Sequence, residues 1–213
     1  MAMGGEVEQQ MADTLKAIAT NNPGLAETVI LNDLKINSME IQIDEECVRI
    51  IAKRHPTASD LRLIMIISKA ITDIERMGDE IERIARLVTK DKLPADVSIK
   101  SSMLSIGQQA LAMMRGTFDA FARLDEEAAL DVYDQDNSID SEYKKLLSYT
   151  AGEMSRSEDS MEDWLEILWA LRSLERIGDR CKNICEYVVS LTRGKDVRHM
   201  PLENMQQKLD DLS

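Results

Sequence analysis

The sequence predicts an all-α protein built as two pseudo-symmetric three-helix bundles, six helices in all. Three observations carry that reading. Aromatic residues are 4 % of the chain, and nine glycines and four prolines are few for 213 residues, a composition that favours helices over sheet. Apolar residues recur at steps of three and four, the period of a helix face. The third observation is an internal repeat. Leu174-Glu175-Arg176-Ile177-Gly178-Asp179 has an earlier copy, Ile74-Glu75-Arg76-Met77-Gly78-Asp79, at an offset of one hundred residues. The match extends through Ile71 and Leu171, Ile84 and Ile184, and Val88 and Val188. A repeat at fixed offset means that one supersecondary unit has been used twice.

The elements follow in order. Glu6 to Thr20 carries Val7, Met11, Leu15 and Ile18 at helical spacing, and Met1 to Gly5 is expected to fray. Asn21-Asn22-Pro23-Gly24 ends that helix and starts the next, with Asn22 as cap and Pro23 in the first turn. The second helix runs to Arg54, where His55-Pro56-Thr57 breaks it. Thr57 or Ser59 caps a third helix that holds the first motif and ends near Thr89. Asp91 to Pro94 links the halves. The fourth helix spans Val97 to Arg123. Asp125 caps a fifth that runs to about Glu153. After a polar loop from Ser155 to Asp159, Ser160 caps a sixth helix that carries the second motif to Leu191 and stops at Gly194. The repeats therefore cover residues 6–90 and 97–194, and 195–213 is a polar tail with a weak helical segment.

The motif helices share a heptad frame. Ile64, Ile67, Ile71, Ile74, Gly78, Ile81, Ala85 and Val88 step along one, and Trp164 to Val188 repeat the pattern, which is a bundle seam. Cys181 and Cys185 lie on it and read as core residues. With Cys47 they form no disulfide or zinc spacing, which points to a reduced, cytoplasmic protein. No signal pattern opens the chain, and the apolar runs are too short to insert into a membrane. A formal net charge of −13 disfavours nucleic acid and anionic lipid as partners.

Beside the seam runs an acidic stripe: Glu75, Asp79 and Glu82 on the third helix, and Glu175, Asp179 and Asn183 on the sixth. Glu and Asp four apart share one helix face and repel, yet the pair occurs twice in the same frame. The preceding helices supply Asp33, Asn37, Glu40 and Asp44 in the first half, and Asp136, Asp140 and Tyr143 in the second. Antiparallel packing would join each pair of stripes into an oxygen-rich groove without histidine, a donor set for hard cations. Arg76 and Arg176 point about 100° away from the Glu before them, towards a neighbouring helix or a partner.

The doubled Glu-Arg-x-Gly-Asp helices, Asp33-x-x-x-Asn37, Asp136-x-x-x-Asp140 and the run Arg54 to Arg62 resemble the PhoU family of bacterial phosphate-signalling accessory proteins over roughly Glu6 to Arg193. The resemblance implies two three-helix bundles and a homodimeric, cytoplasmic protein without catalytic activity. It implies a negative regulator that links a phosphate ABC transporter ATPase to a sensor histidine kinase and so controls phosphate uptake. It also implies divalent or trivalent metal ions (Mg, Mn, Fe or Zn) at Asp33, Asn37, Glu75 and Asp79, and at Asp136, Asp140, Glu175, Asp179 and Asn183. The second set has more carboxylates, and Arg83 stands where the second copy has Asn183, so the second site is expected to bind metal more tightly. Two other readings compete. One is a metal-binding helical scaffold without a signalling role. The other is a carboxylate-bridged metal enzyme, which needs a Glu-x-x-His pair that His55 and His199 do not supply.

Overall fold

The computed structural model describes residues 1–156 and 161–194. Its six helices are α1 (Ala2–Thr20), α2 (Pro23–Arg54), α3 (Ala58–Thr89), α4 (Val97–Arg123), α5 (Glu126–Met154) and α6 (Met161–Arg193). There is no strand among the described residues. The expected Ser160 cap and the tail from Lys195 lie outside them.

Local chemistry sets most boundaries. The Asn22 side chain accepts a hydrogen bond from the Leu25 amide, with Pro23 in the first turn. Asp96 and Asp125 cap α4 and α5 in the same way. Asn21, His55 and Leu124 close α1, α2 and α4 in the left-handed conformation. Thr57 precedes α3 but makes no side-chain cap bond.

The start of the chain corrects one expectation. Met1 to Gly5 does not fray: α1 begins at Ala2, and Met3 and Gly4 are buried. Met3, Val7 and Met11 continue one apolar face, and that face packs on α4, where Gly4 meets the Phe118 ring.

Helices α1–α3 pack on one another, as do α4–α6, and the two sets meet through α3 against α6 and α1 against α4. One continuous apolar cluster runs through all six helices. The seam reading holds on both motif helices: Ile71, Ile74, Ile81, Leu171, Leu174 and Cys181 are buried, and only Ile67 is half-exposed. Cys181 and Cys185 are free thiols in that core; burial pushes the Cys185 thiol up to about 12 and that of Cys181 further still. No helix among the described residues is long and apolar enough to cross a membrane.

Candidate functional site

Helices α2 and α3 run antiparallel, which brings their stripes together along one groove. Ser68 donates to Asp44 at 2.8 Å and Thr72 to Glu40 at 3.1 Å. Further along, Asp33 is 7 % exposed. It accepts from the Gln10 side-chain amide at 3.4 Å and from Asn37 Nδ2 at 3.3 Å. Asn37 Oδ1 is buried and has no hydrogen-bond partner. Gly78 lets α2 approach: a Cβ there would stand 3.0 Å from Asp33 Oδ1. Burial raises the carboxyls of Asp33, Glu75 and Asp79, and each is raised further by its acidic neighbours. Glu82 contributes to that repulsion at both Asp33 and Asp79.

Helices α5 and α6 form the second groove on the same plan. Asp136 is 2 % exposed. Its Oδ1 has no hydrogen-bond partner and lies 2.6 Å from where a Gly178 Cβ would be. Its Oδ2 meets Lys182 Nζ at 2.9 Å, and the same ammonium sits 5.2 Å above the Tyr133 ring. Burial opposes the charged form of Lys182, but the hydrogen bond and charge of Asp136 prevail and hold the ammonium above its ordinary pKa. Burial raises Asp136 and Glu175, against the opposing pull of Lys182 and Arg172 respectively. Arg172 meets one Glu175 oxygen at 2.5 Å, while Glu175 Oε2 is buried without a partner. Asp140 pairs with Lys144 at 3.7 Å, and Asp179 is exposed.

Two sequence assignments change here. Asn183 does not face the second groove. It turns across the bundle junction and donates to Asp73 at 3.3 Å. Arg83 pairs with Glu80 at 2.6 Å, and its charge only partly offsets the repulsion at Asp79. The position equivalent to Glu82 at the hundred-residue offset is Lys182, and that residue, not Asn183, enters the second groove. These facts remove the basis for expecting tighter metal binding there. The offset alone would have found Lys182.

The donors available to an ion are oxygens. Among the described residues no three of the His, Cys, Asp and Glu side chains stand close enough together to form a ligand set. In the first groove the chemistry suits a hard cation: the carboxylates repel one another more than Arg76 and Arg83 offset, and Asn37 presents an unpartnered oxygen. Asp33, oriented by Gln10, and the adjacent Asn37 would hold it, with no more than one further carboxylate in reach among the described residues. The second groove fits poorly, because an ammonium already sits on its most buried carboxylate. Neither groove has the thiolate or imidazole ligands of a structural zinc site.

Between the bundles, α3 and α6 cross antiparallel through a polar network that the heptad pattern did not reveal. Asp73, 4 % exposed, accepts from Arg180 at 3.2 Å, Asn183 at 3.3 Å and Tyr187 at 2.8 Å. Glu80, 7 % exposed, accepts from Ser173 at 2.5 Å and Arg176 at 2.9 Å. Arg176 therefore meets a neighbouring helix of its own chain, whereas Arg76 is exposed.

Fold and grooves together define a class: a tandem repeat of three-helix units, each with an acidic groove beside its seam and no histidine among its donors. The family model for the PhoU domain matches residues 1–88 and 103–188. The chain belongs to the PhoU family. It is similar to the phosphate-specific transport system accessory protein PhoU of Escherichia coli (strain K12), with 42 % identity over 94 % of this chain and 83 % of the relative. The phosphate-specific transport system accessory protein PhoU homolog of Pseudomonas putida is 48 % identical over 96 % of this chain and 80 % of its own length. The crystal structure of PhoU from Pseudomonas aeruginosa matches with a TM-score of 0.86 and 44 % identity, covering 91 % of this chain and 93 % of that one.

Proposed function

We propose that this chain is a cytoplasmic negative regulator of phosphate-starvation signalling. It acts as a non-catalytic adaptor, linking a phosphate ABC transporter ATPase to a sensor histidine kinase. The observation that supports the reading is similarity along nearly the whole chain to accessory proteins of phosphate-specific transport systems. The α2/α3 groove contributes as a site for a hard cation such as Mg²⁺, Mn²⁺ or iron. Exposed Arg76 belongs to the face that meets a partner, and the protein works as a homodimer. Two measurements test this. Purified chain is titrated against the ATPase and the kinase cytoplasmic region from the same cell. The gene is then deleted in a strain with a phosphate-responsive reporter. Binding to both proteins is expected, together with reporter activity that stays high in phosphate-rich medium after deletion. A reporter that still switches off without the gene overturns the reading. Arg76→Glu is expected to weaken partner binding at least about tenfold, as loss of a hot-spot arginine does, with an unchanged melting temperature.

A further inference from the structure

The two grooves differ most at one pair of equivalent positions. Glu82 stands in the first and Lys182 in the second. We infer that the α5/α6 groove carries its cation as the Lys182 ammonium and takes no metal ion. The inference builds on the metal-binding reading proposed above and concerns how this chain divides that role between its halves.

Four observations support it. Lys182 Nζ lies 2.9 Å from Asp136 Oδ2, with the two side chains 28 % and 3 % exposed. A metal ion binding Asp136 would have to displace a tethered charge and leave a partly buried ammonium unpaired, which is costly. Tyr133 holds the same ammonium from its ring face at 5.2 Å, where the ring quadrupole favours a cation. Two further carboxylates of this groove also have cationic neighbours, Glu175 in Arg172 and Asp140 in Lys144 at 3.7 Å. In the first groove the counterpart charge is Glu82, which adds to the repulsion at Asp33 and Asp79, at Asp79 by more than Arg83, itself paired with Glu80, takes away. A divalent cation relieves that repulsion in the first groove. In the second it must compete with a charge that the chain already supplies.

The experiment is calorimetric titration of the metal-free full chain with Mn²⁺, paired with thermal melts in chelator and in Mn²⁺. The chains compared are the parent, Asp79→Asn, Asp179→Asn, Lys182→Gln and Lys182→Gln/Asp179→Asn. The parent is expected to lose its uptake and its metal-dependent thermal shift with Asp79→Asn, and to keep both with Asp179→Asn. Lys182→Gln is expected to create a second binding event, at the α5/α6 groove, that the parent lacks. Asp179→Asn in that background removes the new event. Lys182→Met serves as a second neutral variant should Lys182→Gln melt too low to titrate. Loss of parental uptake on Asp179→Asn overturns the inference. So does a Lys182 variant, folded by its melt, that gains no site. A parent that binds nothing while Lys182→Gln binds one ion refutes metal binding at the first groove and upholds the role of Lys182.

Discussion

Gly78 and Gly178 occupy equivalent places in their helices, but a methyl group at each meets a different neighbour. Alanine is ordinarily about 1 kcal/mol better than glycine inside a helix. At Gly178 the new Cβ would come within 2.6 Å of Asp136 Oδ1, and Asp136 is held by Lys182, so relief requires breaking a buried ion pair. At Gly78 the contact is 3.0 Å with Asp33 Oδ1, whose amide partners are long and weak. Gly178→Ala is therefore expected to lower the melting temperature, and Gly78→Ala to leave it nearly unchanged. Parallel thermal melts decide the order; a Gly178→Ala chain as stable as the parent would show that Asp136 moves freely. Leu174 is fully buried at the seam, and Leu174→Ala is expected to cost about 2–5 kcal/mol in denaturant titration.

At the level of whole helices, the α3/α6 junction is held by carboxylates as well as by its seam. Asp73→Ala removes the acceptor of three side chains and takes from Arg180 its partner across the junction. Its expected cost is about 1–3 kcal/mol, less than for a fully enclosed pair because the Arg180 side chain is 28 % exposed. Chemical denaturation checks it, and a cost no larger than that of an exposed carboxylate such as Asp131 would deny the junction this role. The same junction marks the limit of what the sequence made legible. Helix ends were readable because caps act within three or four residues: Asn22, Asp125 and Gly194 stop or start elements through their own neighbours. The seam was readable because its period is local. Asp73 and Glu80 were not, because their partners lie about a hundred residues away and nothing in a helical period distinguishes a buried carboxylate with a distant guanidinium from a solvated one. The grooves were half legible. Asp33, Glu75, Asp136 and Glu175 lie where the stripes put them. Asn183 and Arg83 do not, because a residue one step round the helix points some 100° away and, at these positions, towards the junction.

For the molecule as a whole, its acid-rich grooves set a pH dependence. Asp33, Glu75, Asp79, Asp136 and Glu175 are all raised in the folded chain, first by burial. Their unfolded values lie near 4, so the folded state binds more protons and stability falls as pH rises. The contribution is complete below about pH 4 and is lost through the raised values above it. The net charge of −13 acts in the same direction through self-repulsion. In metal-free, low-salt buffer the melting temperature is expected to be higher at about pH 5 than at about pH 7.5, and Glu75→Gln should flatten the slope. A midpoint that climbs with pH across that interval would contradict it. The α3/α6 junction has its own consequence at this scale. Its buried carboxylates, Asp73 and Glu80, both belong to α3, and the arginines that reach across to them both belong to α6. Two first halves laid together would set acid against acid, and two second halves guanidinium against guanidinium. Segments 1–90 and 97–194, made as separate chains, should thus assemble with each other and not with themselves. The repeats are alike in shape yet no longer interchangeable, so neither half can stand in for the other.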